Sequence, residues 1–157
     1  MSPRTDDDVD AVLAACRGLV GINARSLGAV ADEVSFLELR ALTVIASRDG
    51  LSLSELAAAT GMHISRMSRA CERMAQEGLV ERAADPDDRR TMRLTVTGAG
   101  RRILRRVADA RRAQVRPALA AMPAAQRARL TEVLAAFTAA LGEPQERELW
   151  SLGWTTD

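Results

Sequence analysis

The segment from Gly61 to Gly100 most constrains how this 157-residue chain can fold. Its first part repeats apolar residues at the spacing of one helix face, while the opposite face is polar and charged. The apolar positions are Ile64, Met67, Cys71 and Met74, and the polar positions are Ser65, Arg66, Arg69, Glu72, Arg73 and Gln76. Gly78 follows, at a place where glycine commonly ends a helix. We therefore predict an amphipathic helix with one buried face and one arginine-rich face.

Two short runs after this helix predict a β-hairpin. The first run is Leu79–Ala84, and the second is Met92–Val96, in which apolar residues occupy alternate positions. Between them, residues 85–90 read DPDDRR and predict a polar turn with arginines at its tip. An arginine-faced helix followed by an arginine-tipped hairpin suits a major groove and an adjacent minor groove of DNA.

A second, shorter helix is predicted just before the amphipathic one. Ser52 and Glu55 have the spacing of a capping box, so Ser52 should begin a helix over Leu53–Thr60 that Gly61 ends. A short capped helix, a glycine turn and an amphipathic helix follow the order of a helix-turn-helix. With the hairpin added, the unit is a winged helix-turn-helix.

Long helices are predicted on both sides of this unit. A heptad-like apolar stripe runs from Val9 to Val30, after a frayed N-terminus of residues 1–8, and Phe36–Ser47 forms a second helix. Thr97 can cap a helix that runs toward Met122 with a kink at Pro117, and Pro123 suits the first turn of a last helix. The apolar stripe of that last helix is Leu130, Val133, Leu134, Phe137 and Leu141. The predicted fold class is mainly α with a small β-hairpin wing.

Positive charge is concentrated in the middle of the chain. The net charge is only +1, but residues 61–116 carry 14 Arg against 7 acidic residues, and the segments on either side are net acidic. A basic block of this kind is typical of a surface that binds nucleic acid. No apolar run approaches the roughly 20 residues of a membrane span, and the acidic N-terminus lacks the apolar core of a signal peptide. A cytoplasmic location without membrane contact is therefore expected.

Over roughly residues 9–141 the chain resembles the MarR family of bacterial winged helix-turn-helix regulators. The order of the predicted helices and the hairpin is the family's order. Residues 78–82, GLVER, resemble the family's turn from recognition helix into wing. Residues 88–90, DRR, and residues 97–100, TGAG, match its D-x-R wing and its T-x-x-G helix start. Together these features identify the chain as similar to that family more specifically than any one of them alone.

The resemblance implies a single domain, residues 1–157, with two lobes. Residues 34–98 would form the winged DNA-binding lobe, residues 9–33 and 99–141 the dimerisation helices, and residues 142–157 a C-terminal tail. It further implies a homodimer that binds a palindromic double-stranded DNA operator, usually as a repressor of transcription. A small aromatic or phenolic effector would bind in a cleft between the lobes, and no cofactor is expected.

The residues predicted to bind DNA lie on the recognition helix, on the helix before it and in the wing. They are Ser52, His63, Ser65, Arg66, Ser68, Arg69, Arg73, Asp88, Arg89 and Arg90. An arginine on the helix can pair with guanine or grip a phosphate, whereas Arg90 is predicted to enter the minor groove with its guanidinium held by Asp88. His63 stands where family members often have Ser or Asp, and Arg66 where a small hydroxyl residue is usual. Both departures bear on which operator sequence is bound.

Other interpretations stay open at this stage. Cys16 lies on the apolar stripe of the first helix, where a peroxide-sensing branch of the family keeps its reactive thiol. That branch activates the thiolate with tyrosines, and this chain has none. The winged helix could instead serve protein–protein contact, although its arginine face argues against that. Neither an enzyme nor a zinc site is expected, because the chain has one histidine, two well-separated cysteines and no known catalytic motif.

Overall fold

In the computed structural model, the described residues are 3–48, 50–85 and 91–141. They form six helices and three short strands. In chain order these are α1 (Pro3–Gly28), α2 (Phe36–Ser47), β1 (Leu51–Ser52), α3 (Leu53–Thr60), α4 (Ile64–Gln76), β2 (Val80–Ala84), β3 (Met92–Val96), α5 (Gly98–Ala120) and α6 (Ala124–Ala140). The fold class predicted from the sequence is confirmed.

Helices α2 and α3 both begin with a capping box. At the start of α3, Glu55 Oε2 accepts hydrogen bonds from Ser52 N at 2.8 Å and from Ser52 Oγ at 2.7 Å, as the sequence predicted. The same arrangement starts α2, where Glu38 caps Ser35 with identical distances. The sequence analysis missed this second box, although the signal, Ser followed three residues later by Glu, is the same.

The strands form one antiparallel sheet with the order β1-β3-β2. The β2–β3 hairpin was predicted, although β2 begins at Val80 and not at Leu79. Strand β1 was missed, since two residues are too few to show an alternating pattern. It pairs Leu51 with Leu94 of β3 and so attaches the hairpin to the helices of the winged unit.

The core lies between α2, α3, α4, the sheet and the start of α5. Its largest fully buried side chains include Leu42, Ile45, Leu56, Met67, Met74 and Leu94. The predicted apolar stripe of α4 is correct at Met67, Cys71 and Met74 but wrong at Ile64, whose surface is 50% exposed. Ile64 is the first residue of the helix and precedes the turn that meets the core, whereas Ala70 is buried.

The start of α5 packs closely against the turn that follows α4. Gly78 has a φ of +69°, the left-handed conformation that ends α4 as predicted. Thr97 Oγ1 donates a hydrogen bond to the Gly78 carbonyl at 2.7 Å and accepts one from Gly100 N at 3.2 Å, so it caps α5 and ties it to the end of α4. A Cβ at Gly100 would lie 2.7 Å from Val96 Cγ1 and would overlap the Leu79 carbonyl oxygen. The threonine and second glycine of T-x-x-G therefore serve helix capping and close packing.

The first and last helices differ from their predictions at their ends. Helix α1 begins at Pro3, so the prediction that residues 1–8 are frayed is wrong over residues 3–8. The helix ends at Gly28, whereas its apolar stripe was predicted to run to Val30. Proline suits a first helical turn, which explains the early start. Helix α5 ends at Ala120, before Met122, and Pro123 is the N-cap of α6.

Helix α6 has no buried residue. Val133, Leu134, Phe137 and Leu141, all on the predicted stripe of this region, are exposed. Residues of the α1 stripe are exposed as well, among them Val9, Val12, Leu13 and Leu19.

Over the described ranges no helix is long and apolar enough to cross a membrane. The predicted tail, residues 142–157, lies outside the described residues.

Candidate nucleic-acid interface

The outer face of α4 is exposed along its whole length. Ser65, Arg66, Arg69, Glu72, Arg73 and Gln76 are all exposed, while the opposite face is buried in the core. Within the described part of the chain, no hydrogen bond or ion pair engages the side chains of Arg66 and Arg69. Their guanidinium groups can therefore turn to an external acceptor, such as guanine O6 and N7 or a phosphate oxygen.

Arg73, also predicted to bind DNA, has a partner within the protein. Its Nη2 lies 2.8 Å from Glu38 Oε1, and the Glu38 side chain is only 7% exposed. Glu38 thus caps α2 and holds the last turn of α4 against the start of α2. A buried carboxylate needs such a partner, so Arg73 serves at least in part to fix the position of α4.

Two of the three serines predicted to bind DNA, Ser52 and Ser68, have intramolecular partners too. The Ser52 hydroxyl belongs to the capping box of α3, and Ser68 Oγ donates to Glu72 Oε1 at 3.0 Å. His63 is the N-cap of α4, as its place in the sequence predicted, and its side chain makes no capping hydrogen bond. The start of the recognition helix thus lacks the capping oxygen that Ser or Asp would supply.

The base of the wing is closed by Asp85 and Arg93. Asp85 N donates to the Thr91 carbonyl at 2.9 Å, across residues 86–90. The Asp85 side chain is buried and accepts from Arg93 Nε at 2.5 Å. The sequence analysis missed both roles, because it placed Asp85 in the polar turn and assigned no role to Arg93. Asp88, Arg89 and Arg90 lie outside the described residues, so their DNA contacts stay predictions.

Two ionisable groups have shifted pKa values. The pKa of Glu55 is lowered, chiefly by the hydrogen bond from the Ser52 hydroxyl, then by the backbone of Ser52, with Arg93 adding to the effect. Burial raises the pKa of Cys71 to about 11, which agrees with its prediction as an inert core residue. Cys16 is exposed on α1, and its use as a redox sensor stays a prediction.

Three concave surfaces accompany these elements. A cleft of about 760 Å³ lies between the start of α2 and the outer face of α4, and its lining includes Phe36, Arg66, Arg69 and Arg73. A crevice of about 310 Å³ is lined by Asp32, Glu33, Glu77, Leu79 and Ile103. A groove of about 520 Å³ follows α5 and reaches α6, and its charged lining is Arg111, Arg112, Arg116 and Arg127. No group of three or more potential metal ligands occurs in the described ranges.

Side-chain contacts also join α1 and the segment after it to α5. Arg106 Nη1 pairs with Glu33 Oε1 at 2.5 Å, and its Nη2 donates to the Ala29 carbonyl at 2.6 Å. Arg25 Nε donates to Gln114 Oε1 at 2.6 Å. Arg106 of α5 therefore binds the connection between α1 and α2.

Comparison with known proteins agrees with this geometry. A MarR family model matches residues 33–91. RV1404 from Mycobacterium tuberculosis is 31% identical, with 92% of this chain and 99% of that chain covered and a TM-score of 0.82. A MarR family transcriptional regulator from Silicibacter pomeroyi is 25% identical, with coverages of 83% and 88% and a TM-score of 0.63. Streptococcus pneumoniae FabT, solved in complex with DNA, shares the fold at 18% identity, with coverages of 87% and 96% and a TM-score of 0.67. No match was found among curated proteins.

Proposed function

Since this chain belongs to the MarR family of winged-helix transcription regulators, we propose that it is a repressor that binds a palindromic double-stranded operator as a homodimer. We further propose that a small aromatic or phenolic effector releases the operator. DNA binding of this kind needs an exposed recognition helix, a second element that reaches the next groove and a dimer that presents two copies of both.

The observation that carries DNA binding is the pair Arg66 and Arg69 on the outer face of α4. Both side chains are exposed and, among the described residues, bind no partner inside the protein, so their guanidinium groups are available to a polyanion. They lie within the first two turns of the second helix of a helix-turn-helix, the part that enters a major groove. The hairpin that follows carries the predicted wing arginines to the neighbouring minor groove.

Operator affinity of matched variants tests this assignment. Arg69→Ala should cost roughly 1–3 kcal/mol and relax the preference at one base pair per half-site, if it reads a guanine. Arg90→Ala should weaken binding to every operator with the same flanks and reduce discrimination between A·T and G·C flanks. Asp88→Ala should have the same two effects to a smaller extent. Arg17→Ala removes the same charge from an exposed position on α1 and serves as the control.

Salt dependence adds a second measurement to the same series. Each lost phosphate contact should flatten the slope of log affinity against log salt by about 0.9. If Arg69→Ala and Arg90→Ala both bind like the unmodified protein at every salt concentration, the groove assignments are wrong. Absence of a salt-dependent interaction in the unmodified protein would instead favour a protein-interaction module.

Dimerisation is supported by apolar surface that a single chain leaves uncovered. The exposed stripes of α1 and α6 would have no partner in a monomer, and such surface marks an interface. Charge is complementary as well, because residues 6–10 at the start of α1 carry four aspartates, whereas four arginines line the groove along α5 and α6. Sedimentation at micromolar concentration should show a dimer, and Leu134→Asp should shift it toward monomer. A clean monomer of the unmodified protein would reject the proposal.

The effector is expected to be an anion because of the charges around the larger cleft. The resemblance implied an effector cleft between the two lobes, but the crevice that spans them is lined by Glu33 and Glu77, which would repel a carboxylate. The cleft of about 760 Å³ between α2 and α4 lies within the DNA-binding lobe, and its Arg66, Arg69 and exposed Phe36 ring suit an aromatic acid. Such a ligand would compete with DNA for the same arginines. Salicylate and benzoate should therefore release a labelled operator from the unmodified protein. If no aromatic acid alters operator affinity, the sensing part of the proposal fails.

A further inference from the structure

We propose that Arg93 is a positioning residue that fixes the wing relative to the helix-turn-helix and so sets how the protein discriminates the flanks of its operator. This inference rests on the proposed DNA binding and deepens it. Arg93 is the second residue of β3, the central strand of the sheet, and it is paired with Ser52 of β1 and with Ala83 of β2.

The guanidinium of Arg93 binds three separate segments of the winged unit. Nε donates to Asp85 Oδ2 at the base of the wing, at 2.5 Å. Nη1 donates to the Gly50 carbonyl, in the connection between α2 and β1, at 2.9 Å. The same Nη1 lies 3.5 Å from Glu55 Oε2, which caps α3. One planar cation thus links the hairpin to the first helix of the helix-turn-helix, and we call these four residues the Arg93 clamp.

The clamp is more than an exposed ion pair, because its central anion is buried. The Asp85 side chain is 6% exposed, whereas an ion pair between two exposed side chains would contribute little. Removing the Arg93 guanidinium takes a cation away from this buried carboxylate and leaves its charge less well compensated, so the base of the wing would move outward. Motion at Asp85 is passed to the hairpin tip, since Asp85 N also closes the hairpin with the Thr91 carbonyl.

Arg93 could alternatively contact DNA itself, since 40% of its side chain is exposed. A direct DNA contact and a positioning role predict opposite effects on DNA binding when its partner Asp85 is removed. Removing an acidic group near DNA strengthens binding when the neighbouring arginine grips a phosphate, because repulsion is lost. When the acid instead anchors the wing, its removal weakens flank discrimination as much as loss of the arginine does.

The experiment measures operator affinity and flank discrimination for Arg93→Ala, Asp85→Ala and the double variant. We expect both single variants to lose A·T-over-G·C flank discrimination, several-fold or more, and the double variant to lose less than the two single losses combined, since both single variants remove the Asp85–Arg93 pair. Discrimination at the base pairs read by α4 should be unchanged, and so should the salt slope. Arg93→Lys, which keeps the charge but cannot bridge the three segments, should behave like Arg93→Ala.

Arg82→Ala is the matched control, because it removes a charge from an exposed position on β2 of the same hairpin without touching the clamp. It should keep flank discrimination. The proposal is overturned if Asp85→Ala binds as well as or better than the unmodified protein while Arg93→Ala flattens the salt slope by about 0.9, the result for a direct phosphate contact. It is equally overturned if the effects of the two single variants add in the double variant.

A second readout does not depend on DNA and separates failure of the clamp from failure of the proposed function. Hydrogen exchange of the β2–β3 amides should become at least several-fold faster in Arg93→Ala and Asp85→Ala, with the amides of α4 unaffected. Unchanged hairpin protection would refute the clamp even if the unmodified protein binds its operator. Faster hairpin exchange in a protein that binds no DNA would reject the proposed function and the flank-discrimination role of Arg93 together, leaving only a structural link.

Discussion

Gly100→Ala should destabilise the protein, while Gly98→Ala, two residues earlier in the same helical turn, should stabilise it. Both glycines lie at the start of α5, and neither has a positive φ, so alanine is compatible with the backbone at both positions. Only the surroundings differ. A Cβ at Gly98 meets nothing closer than Arg102 Nη1 at 3.7 Å, whereas a Cβ at Gly100 would lie 2.7 Å from Val96 Cγ1 and against the Leu79 carbonyl oxygen.

The size of the effect follows from these contacts. Replacing glycine by alanine without strain stabilises a protein by about 0.4–1 kcal/mol, which is the expectation for Gly98→Ala. Overpacking a core costs typically 1–3 kcal/mol, and at Gly100 one of the atoms that must move belongs to the backbone. We therefore expect a net loss of about 2 kcal/mol, roughly a thirtyfold change in the folding equilibrium.

Urea denaturation of the two variants and the unmodified protein, at one protein concentration, measures these differences. With a urea dependence of about 2 kcal/mol per molar, the midpoint should fall by about 1 M for Gly100→Ala and rise by about 0.2–0.5 M for Gly98→Ala. If Gly100→Ala is as stable as Gly98→Ala, then α5 does not approach the end of the recognition helix as closely as described. The structural account of T-x-x-G would then be refuted.

Three further predictions concern buried or capping side chains. Glu38→Gln keeps the shape of the side chain but removes the charge that holds Arg73. Melting curves followed by circular dichroism should show that the variant is less stable by about 1–3 kcal/mol. Equal or higher stability would show that the pair does not stabilise the fold. In a Cys16→Ser variant, the remaining Cys71 thiol should resist alkylation at pH 8 until denaturant is added, since it is buried with a raised pKa, and rapid modification of the folded protein would contradict this. The lowered pKa of Glu55 means that its ionised form is favoured in the folded state, so its contribution is present above the ordinary value of 4.5 and is lost as pH falls below it. The stability difference between Glu55→Gln and the unmodified protein should accordingly shrink between pH 5 and pH 3, and a difference that grows would show that the sign is wrong.

Local signals in the sequence determined most of the secondary structure and one part of the site. The bounds of α2 and α3, the Ser52 capping box and the end of α4 at Gly78 all follow from residues within four positions of one another. Helix periodicity likewise assigned the arginine face of α4 to the surface. These features depend on backbone hydrogen bonds and side-chain directions that consecutive residues fix by themselves.

Local signals were weakest where an element meets distant parts of the chain. Ile64 fits the apolar period of α4 but lies before the core begins, and β1 exists only because β3 pairs with it. Val133, Leu134 and Phe137 of α6 have the helical spacing from which a stripe was predicted, yet all three are exposed. Whether a stripe is covered depends on what packs against it, and period alone carries no information about the partner.

Tertiary structure alone decided which arginines have partners inside the protein. The sequence alone does not distinguish Arg66, Arg73, Arg93 and Arg106. Among the described residues, the fold gives Arg66 no partner, but it brings Arg73 to Glu38, Arg93 to the Gly50 carbonyl 43 positions away, and Arg106 to Glu33 73 positions away. A guanidinium pairs with whichever acceptor lies within hydrogen-bond distance, and that distance is set by the packing of whole elements, so no spacing along the chain encodes it.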